Sequence, residues 1–68
     1  MAGDDDLEFI ATIRDAYGDL MAFQKGSVHK VGYAMAEWAL HYAGTSFTIR
    51  AAPYIEQRTE EENIEALK

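Results

Sequence analysis

The apolar residues in the first third of the chain recur with the period of an α-helix. Starting from Phe9 they fall at i, i+1, i+4, i+7, i+8, i+11 and i+12, which places them in one stripe along a helix. The stripe consists of Phe9, Ile10, Ile13, Ala16, Tyr17, Leu20 and Met21. A strand would need strict alternation, but Ile10 lies on the wrong face for that pattern and the alternation fails by Asp15. We therefore predict a helix over residues 5–25.

Both ends of this first segment carry residues that suit helix termini. The aspartates at positions 4–6 supply an N-cap and a favourable negative charge at the positive end of the helix dipole, and Gly26 suits the C′ position. One interior residue fits less well, because Gly18 costs up to about 1 kcal/mol inside a helix. A kink or a break at Gly18 remains an alternative.

A second helix is predicted over residues 28–43, with Ser27 as its N-cap and Gly44 after its end. Its main apolar stripe consists of Val28, Val31, Ala34, Met35, Trp38, Ala39 and Tyr42. Tyr33 and Leu40 lie on the otherwise polar side, at i and i+7, and form a second apolar strip. This helix has apolar residues on two sides, and so short a chain has little else to bury the second one. A partner subunit is therefore indicated.

The sequence after this helix is rich in β-branched and aromatic residues, which predicts a strand over residues 45–51 with Phe47 and Ile49 on one face. Pro53 ends it. No other segment has a comparable strand pattern, and an isolated strand leaves its backbone N–H and C=O groups unpaired. We therefore expect this strand to pair with the same strand of a second copy, as an antiparallel ribbon.

The last predicted element is a short helix over residues 59–67, where Thr59 and Glu62 have the spacing of a capping box. The predicted fold class is thus mostly α: two amphipathic helices, one short strand paired across a dimer, and a short C-terminal helix. We expect residues 1–68 to form one dimerisation domain, with residues 1–4 as a flexible N-terminus.

The composition supports assembly into an oligomer. A single core in a chain of 68 residues supplies only about 3–5 kcal/mol. Proteins of this size add disulfides, a metal or a partner subunit, and this chain has no Cys and only two His. Its hydrophobic fraction of 49% is too high for a disordered chain. A homodimer is the assembly that these numbers favour.

The charge argues against direct binding to nucleic acid. The formal net charge is −6, and the six basic residues are scattered along the chain instead of clustered. No apolar run approaches the roughly 18 residues of a membrane span, and the acidic first residues do not suit a signal peptide. These features predict a cytoplasmic protein with a protein partner, without membrane contact.

No set of residues predicts catalysis or a bound metal. His29 and His41 are twelve residues apart on the second helix, so one subunit cannot use both for one metal. Glu37 and His41 have the i, i+4 spacing of two ligands, but a surface pair worth about 0.2–0.5 kcal/mol explains them better. Ser27 is explained by capping instead of nucleophilic attack. We predict that the protein is not an enzyme and holds no cofactor.

Two groups of side chains are candidate binding residues. The first is the predicted dimer interface, formed by apolar residues of the second helix and the strand: Val31, Met35, Trp38, Tyr42, Phe47 and Ile49. The second is the candidate surface for another macromolecule: Tyr33, Arg50, Glu56, Glu60 and Glu61. Arg50 is expected on the face of the strand opposite Phe47, paired with Glu37 or with an acid of the other chain.

Residues 40–49 read Leu-His-Tyr-Ala-Gly-Thr-Ser-Phe-Thr-Ile, a helix end with a glycine followed by a strand. This segment resembles the dimerisation domain of the Mor/C family, the middle- and late-gene transcription activators of Mu-like phages, where a helix end and glycines precede a strand. Ile55 and Ile64 lie near apolar positions of the family's linker helix, and residues 9–20 resemble its first helix. The resemblance implies a dimer with interlocked helices and single strands paired across its axis.

Two departures limit what this resemblance implies. Family members continue into a basic helix-turn-helix, and this sequence ends at Lys68 without one. Where the family has Ile-Pro and then a basic residue or Gly, residues 49–52 read Ile-Arg-Ala-Ala. The predicted function is therefore a phage- or prophage-type dimeric protein that regulates transcription through protein contacts. The alternative is a small acidic inhibitor, or DNA mimic, that blocks a host nucleic-acid enzyme.

Overall fold

A computed structural model describes residues 7–68 and shows a sheet with two helices. The elements in chain order are β1 (Phe9–Asp15), β2 (Leu20–Gly26), α1 (Val28–His41), β3 (Phe47–Pro53) and α2 (Glu60–Glu65). All three strands form one antiparallel sheet in the order β2-β1-β3. The mostly α fold predicted from the sequence is therefore wrong, and the protein has an α+β architecture.

Strand β1 occupies the centre of the sheet, and its burial explains why the helical pattern was misleading. Ile10, Ala11, Thr12 and Ile13 are all buried, so both faces of the strand are covered. Cover on both faces allows apolar Ile10 on the side of the strand opposite Ala11 and Ile13, which interrupts the alternation and lets the apolar residues also fit a helical stripe. The helix predicted over residues 5–25 is replaced by β1, a turn and β2.

The turn between β1 and β2 forms at Gly18, where the sequence allowed a break. Gly18 has a φ of 87°, and its N–H donates to the carbonyl of Asp15 at 3.0 Å. The carboxylate of Asp15 accepts from the N–H groups of Tyr17 at 2.9 Å and Asp19 at 3.0 Å. The N–H of Asp15 donates to the carbonyl of Asp19 at 3.0 Å and closes a three-residue turn, residues 16–18, with glycine at its left-handed position. The predicted cap at residues 4–6 lies outside the described residues.

Helix α1 confirms the second predicted helix, although it ends at His41 instead of residue 43. The Ser27 side chain caps it by accepting from the N–H of Lys30 at 3.2 Å. Val31 is buried, and the helix packs against β1 and β2. Gly44 follows with a φ of 92°, a left-handed conformation that suits the predicted glycine after the helix end.

Strand β3 begins two residues later than predicted and ends at Pro53. It pairs with β1 of the same chain, with Ile49 opposite Ile13 and Arg50 opposite Thr12. The prediction that this strand has no partner in its own chain is therefore wrong, because β1 had been assigned to a helix. The side of β3 that faces away from β1 pairs with no other strand of residues 7–68, so it is an edge of the sheet.

Helix α2 is shorter than the predicted 59–67, but its capping box is present. The N–H of Glu62 donates to Thr59 Oγ1 at 3.1 Å, and the N–H of Thr59 donates to Glu62 Oε1 at 2.9 Å. Asn63 is buried behind this cap and binds the backbone of the loop that precedes the helix. The local sequence therefore fixes both the start of α2 and its attachment.

The two helices cover the two faces of β1. Ile10 packs with Ile64 and Leu67, in and just after α2, and Ala52 and Tyr54 pack against this core. Ala11 and Ile13 point to the opposite face, which α1 covers. Because β2 and β3 both run antiparallel to β1, α1 connects two parallel outer strands and runs from the Phe9 end of the sheet towards the Asp15 end. Within residues 7–68, neither helix has the length and apolar character needed to cross a membrane.

Candidate protein-binding surfaces

The outer side of α1 carries two large apolar side chains that nothing in residues 7–68 covers. Tyr33 is 68% exposed and Leu40 is 80% exposed. They lie two helical turns apart, about 10 Å along the axis, and so form one strip, which we call the α1 strip. Gly32 and Ala36 are exposed next to it, and a Cβ added at Gly32 would meet no atom within 4 Å. The second apolar strip of this helix is thus present at the surface.

Tyr17 is a surface residue that the helical pattern of the sequence does not predict. It is 90% exposed at the tip of the β1–β2 hairpin. The helical interpretation had placed it on the buried stripe. The sequence did contain a signal for the turn, since Asp15 and Gly18 flank it with the residue types that hairpin turns prefer. Tyr17 and the C-terminal end of α1 both lie at the Asp15 end of the sheet.

The predicted dimer interface divides into one core residue and five that are partly accessible. Val31 is only 3% exposed, so it belongs to the core of its own chain. The other five are half-buried: Met35 and Trp38 on α1, Tyr42 at its C-cap, and Phe47 and Ile49 on β3. Ile49 lies opposite Ile13, so it points to the face of the sheet that α1 covers. No second chain is described, and the dimer stays a prediction.

Arg50 is exposed, as predicted, but it is not paired with Glu37. It lies opposite Thr12, on the face of the sheet that α2 covers, whereas α1 carries Glu37 on the other face. Within residues 7–68 no acidic side chain approaches Arg50 within 4.0 Å. The reason is the pleat of β3, which places Arg50 and Ile49 on opposite faces.

A second arginine on the same face is buried and serves the structure. Arg14 donates to the carbonyl of Gly18 at 2.9 Å and to that of Ile64 at 3.4 Å. The bond to Ile64 joins the central strand to the last turn of α2, where a cation is favourable. Two buried polar atoms on this face of β1, Arg14 Nε and Thr12 Oγ1, have no partner within the described part of the chain.

Acidic side chains surround α2. Glu56, Glu60 and Glu61 are exposed and form no ion pair within residues 7–68, and we call these three the acidic patch. Glu65 differs, because its carboxylate lies 2.7 Å from Lys68 Nζ. This hydrogen bond, together with the positive charges of Lys68 and Arg14, lowers the pKa of Glu65 below its usual value. Within residues 7–68, no basic side chain lies within 4.0 Å of the carboxylates of the acidic patch.

The described residues contain two shallow cavities. One, of about 250 Å³, lies beside α2 and is mostly apolar, with Arg58 and Asn63 as its polar side chains. The other, of about 390 Å³, is lined by Leu7, Glu8, Pro53, Tyr54 and Glu56. Neither cavity contains a histidine. Among residues 7–68, no three or more His, Asp or Glu side chains lie together in a way that would hold a metal ion.

A comparison with protein-family models, curated proteins and solved structures found no match to this chain. The structure also differs from what the resemblance to the Mor/C family implies. Residues 9–26 form a hairpin where that family has its first helix, and β3 pairs within its own chain. The resemblance stays a prediction, and it now depends mainly on residues 40–49.

Proposed function

We propose that this protein is a binding module whose α1 strip contacts an apolar surface of a partner protein. The observation that carries the proposal is the exposure of Tyr33 and Leu40 on a helix that is otherwise anchored to the sheet. Helix α1 is held at its start by the Ser27 cap and by buried Val31. The strip is therefore presented on a fixed helix, which lowers the entropy cost of binding.

The energetics of the strip suit a moderate protein contact. Full burial of a large apolar side chain contributes about 1.5–3 kcal/mol, so Tyr33 and Leu40 can be the central anchors of a larger interface. Tyrosine is also among the residues that most often dominate binding energy. The spacing i, i+7 is that of a helix lying in an apolar groove, and small Gly32 and Ala36 allow a partner to approach closely.

A protein partner fits the charge better than a nucleic acid does. The net charge of −6 repels phosphate backbones, and the α1 strip carries no cluster of basic residues. Regulation of transcription through protein contacts, as the Mor/C resemblance implies, is one setting for such a module. It stays a prediction, since the proposal for the strip stands on exposure and geometry alone.

The proposal is tested with Leu40→Ser, using Ile55→Ser as the matched control. Ile55 is 39% exposed and lies outside α1, so both variants remove a surface branched aliphatic side chain. Tagged wild-type protein and both variants are used to capture partners from host cells, which are identified by mass spectrometry. The binding constant of each recovered protein is then measured with purified components.

We expect a partner that loses at least about tenfold in affinity with Leu40→Ser, equal to about 1.4 kcal/mol, and almost none with Ile55→Ser. Equal losses in both variants, or unchanged binding by Leu40→Ser, would refute the role of the strip. Circular dichroism confirms that both variants are folded.

A second candidate function is favoured by the acidic patch. Glu56, Glu60 and Glu61 lack ion-pair partners within the described residues, and acidic side chains on a small fixed surface can occupy a groove that normally binds phosphates. We propose the inhibitor or DNA mimic as the alternative on this basis. Its test is competition with duplex DNA for basic nucleases and polymerases. Glu60→Gln with Glu61→Gln should abolish the competition, whereas Leu40→Ser should leave it unchanged.

A further inference from the structure

We propose that a second copy of this chain docks on the free edge of β3, so that two three-stranded sheets join into one antiparallel sheet of six strands. In this dimer, Ile49 lies opposite Ile49 of the second copy. The inference is independent of the α1 strip, because the strip and the β3 edge are different surfaces. It rests on the hydrogen-bonding direction, regularity and charge of β3.

The hydrogen bonds of the sheet show which backbone groups of β3 are free. The N–H of Tyr54 donates to the carbonyl of Glu8 at 2.8 Å, and this pair continues the register of β1 with β3. Because hydrogen-bonded pairs alternate along an antiparallel ladder, Thr48, Arg50 and Ala52 also direct their N–H and C=O groups towards β1. The backbone groups of the intervening residues therefore point outward, to the free edge of the sheet.

These outward groups belong to Phe47, Ile49, Ala51 and Pro53, and the first three can both donate and accept. A ladder with a second copy needs such groups at every second residue, which β3 provides. An edge strand of this kind is a template for pairing with another chain. None of the residues whose backbone groups point outward has a charged side chain. Arg50 is the one charged residue of β3, and it lies between Ile49 and Ala51 in the strand.

The other edge of the sheet is less suited to pairing. Strand β2 has an irregularity where the register with β1 shifts between Ile13 and Arg14, so its outer edge is not regular over the whole strand. Bulges of this kind disrupt a ladder and twist an edge away from further pairing. Strand β3 keeps one register with β1 from Phe47 to Pro53. The regular edge is the one that can accept a second copy.

The sequence of β3 selects one register for a symmetric pair. With Ile49 opposite its own copy, Phe47 lies opposite Ala51, and every outward N–H and C=O of these three residues finds a partner. A register shifted by one residue towards the C-terminus places Arg50 opposite Arg50, which is disfavoured by charge repulsion. It also pairs Phe47 with Pro53, which has no N–H, so one hydrogen bond is lost. A shift in the other direction leaves Ala51 without a partner inside β3.

The charge distribution also favours this edge. The chain contains 12 acidic residues, but none lies between positions 42 and 55. Strand β3 itself therefore carries no acidic side chain that would repel a second copy of net charge −6. In the proposed register, Thr48 lies opposite Arg50 of the second copy, so the arginines are separated from each other. Phe47 and Ile49 are half-buried on the face of the sheet that α1 covers, and the second copy would bury them further.

Amide hydrogen exchange gives a residue-specific test on the intact chain. Pairing within one chain protects the amides of Thr48, Arg50 and Ala52 at any concentration. A dimer through the β3 edge must also protect those of Phe47, Ile49 and Ala51, and this protection must increase with protein concentration. We expect that pattern from micromolar to millimolar protein. Fast exchange of all three at millimolar concentration, or a monomer by sedimentation there, would overturn the proposal.

Charge variants of exposed Thr48 test the register. Thr48→Arg places two arginines opposite each other at two symmetric positions, and Thr48→Glu places a glutamate opposite Arg50. Because each cross-strand pair contributes about 0.2–1 kcal/mol, the dimer dissociation constant should rise about 2- to 30-fold with Thr48→Arg and fall by a similar factor with Thr48→Glu.

Adding Arg50→Glu to Thr48→Arg restores opposite charges, so this double variant should dimerise more tightly than Thr48→Arg alone. A dimer that is indifferent to all three changes would show that the copies do not meet in this register. Circular dichroism of each variant separates lost pairing from lost folding.

Discussion

The attachment of α2 depends on one buried amide, and its removal should be among the most damaging single changes in this protein. Asn63 is 3% exposed, and its Oδ1 accepts from the N–H of Ile55 at 2.9 Å. Its Nδ2 donates to the carbonyls of Ile55 at 3.1 Å and Thr59 at 2.9 Å, with a longer contact of 3.4 Å to Arg58. One side chain thus satisfies both backbone groups of Ile55, much as a neighbouring strand would.

The magnitude follows from these bonds. A hydrogen bond contributes about 0.5–1.5 kcal/mol net, so the loss of the three shorter bonds in Asn63→Ala should cost about 2–4 kcal/mol. A core of this size supplies only about 3–5 kcal/mol, so the variant should be close to unfolded at room temperature. Ile64 and Leu67 would lose their fixed position against Ile10, because they lie in and just after the helix that Asn63 holds.

Urea unfolding, followed by far-ultraviolet circular dichroism and by the fluorescence of Trp38, measures this loss. Thr59→Ala is the matched control, since it removes the N-cap of the same helix and should cost only about 1 kcal/mol. If Asn63→Ala loses less than Thr59→Ala, the amide is not what holds α2, and the reasoning from these distances is refuted.

Two further predictions concern the hairpin and the C-terminus. Gly18→Ala should cost about 1–2 kcal/mol, because an L side chain must adopt a left-handed backbone there; Gly18→Asn should cost less, and urea unfolding separates the two. Lys68→Met should raise the pKa of Glu65, because it removes the hydrogen bond and charge that lower it; carboxyl-carbon NMR titration measures the change. Because the pKa of Glu65 is lower in the folded chain than in the unfolded chain, its ionisation stabilises the fold at pH values above its unfolded pKa. That stabilisation should be lost as the pH falls through its folded pKa.

The elements that are specified by local residues could be predicted from the sequence. Ser27 caps α1 and Thr59 caps α2 where the spacing indicated, because a cap is a contact between residues three apart. Pro53 ends β3 for an equally local reason, since it has no N–H for a ladder. The exposure of Tyr33 and Leu40 also followed from helical spacing.

The elements that depend on distant contacts could not be predicted in the same way. β1 is a strand because β2 and β3 pair with it on both sides and a helix covers each face. Because both faces are covered, Ile10 is apolar on the face opposite Ala11 and Ile13, so the alternation by which a strand is recognised is interrupted and these residues also fit a helical stripe. The β-branched Ile10, Thr12 and Ile13, followed by the Asp15 and Gly18 turn, were the available indication of a strand. Once β1 was missed, β3 had no partner in the chain.

The position of β1 at the centre of the sheet sets the order in which the protein can fold as it is synthesised. Its first partner, β2, follows after a short turn, but its second partner, β3, is made only after the whole of α1. Closing that longer loop is slower and costs more entropy. Until it closes, β1 has an unpaired apolar edge, and a two-stranded hairpin is only marginally stable. Docking of β3 therefore completes the fold, and a chain that stalls before Phe47 is the form most prone to aggregate.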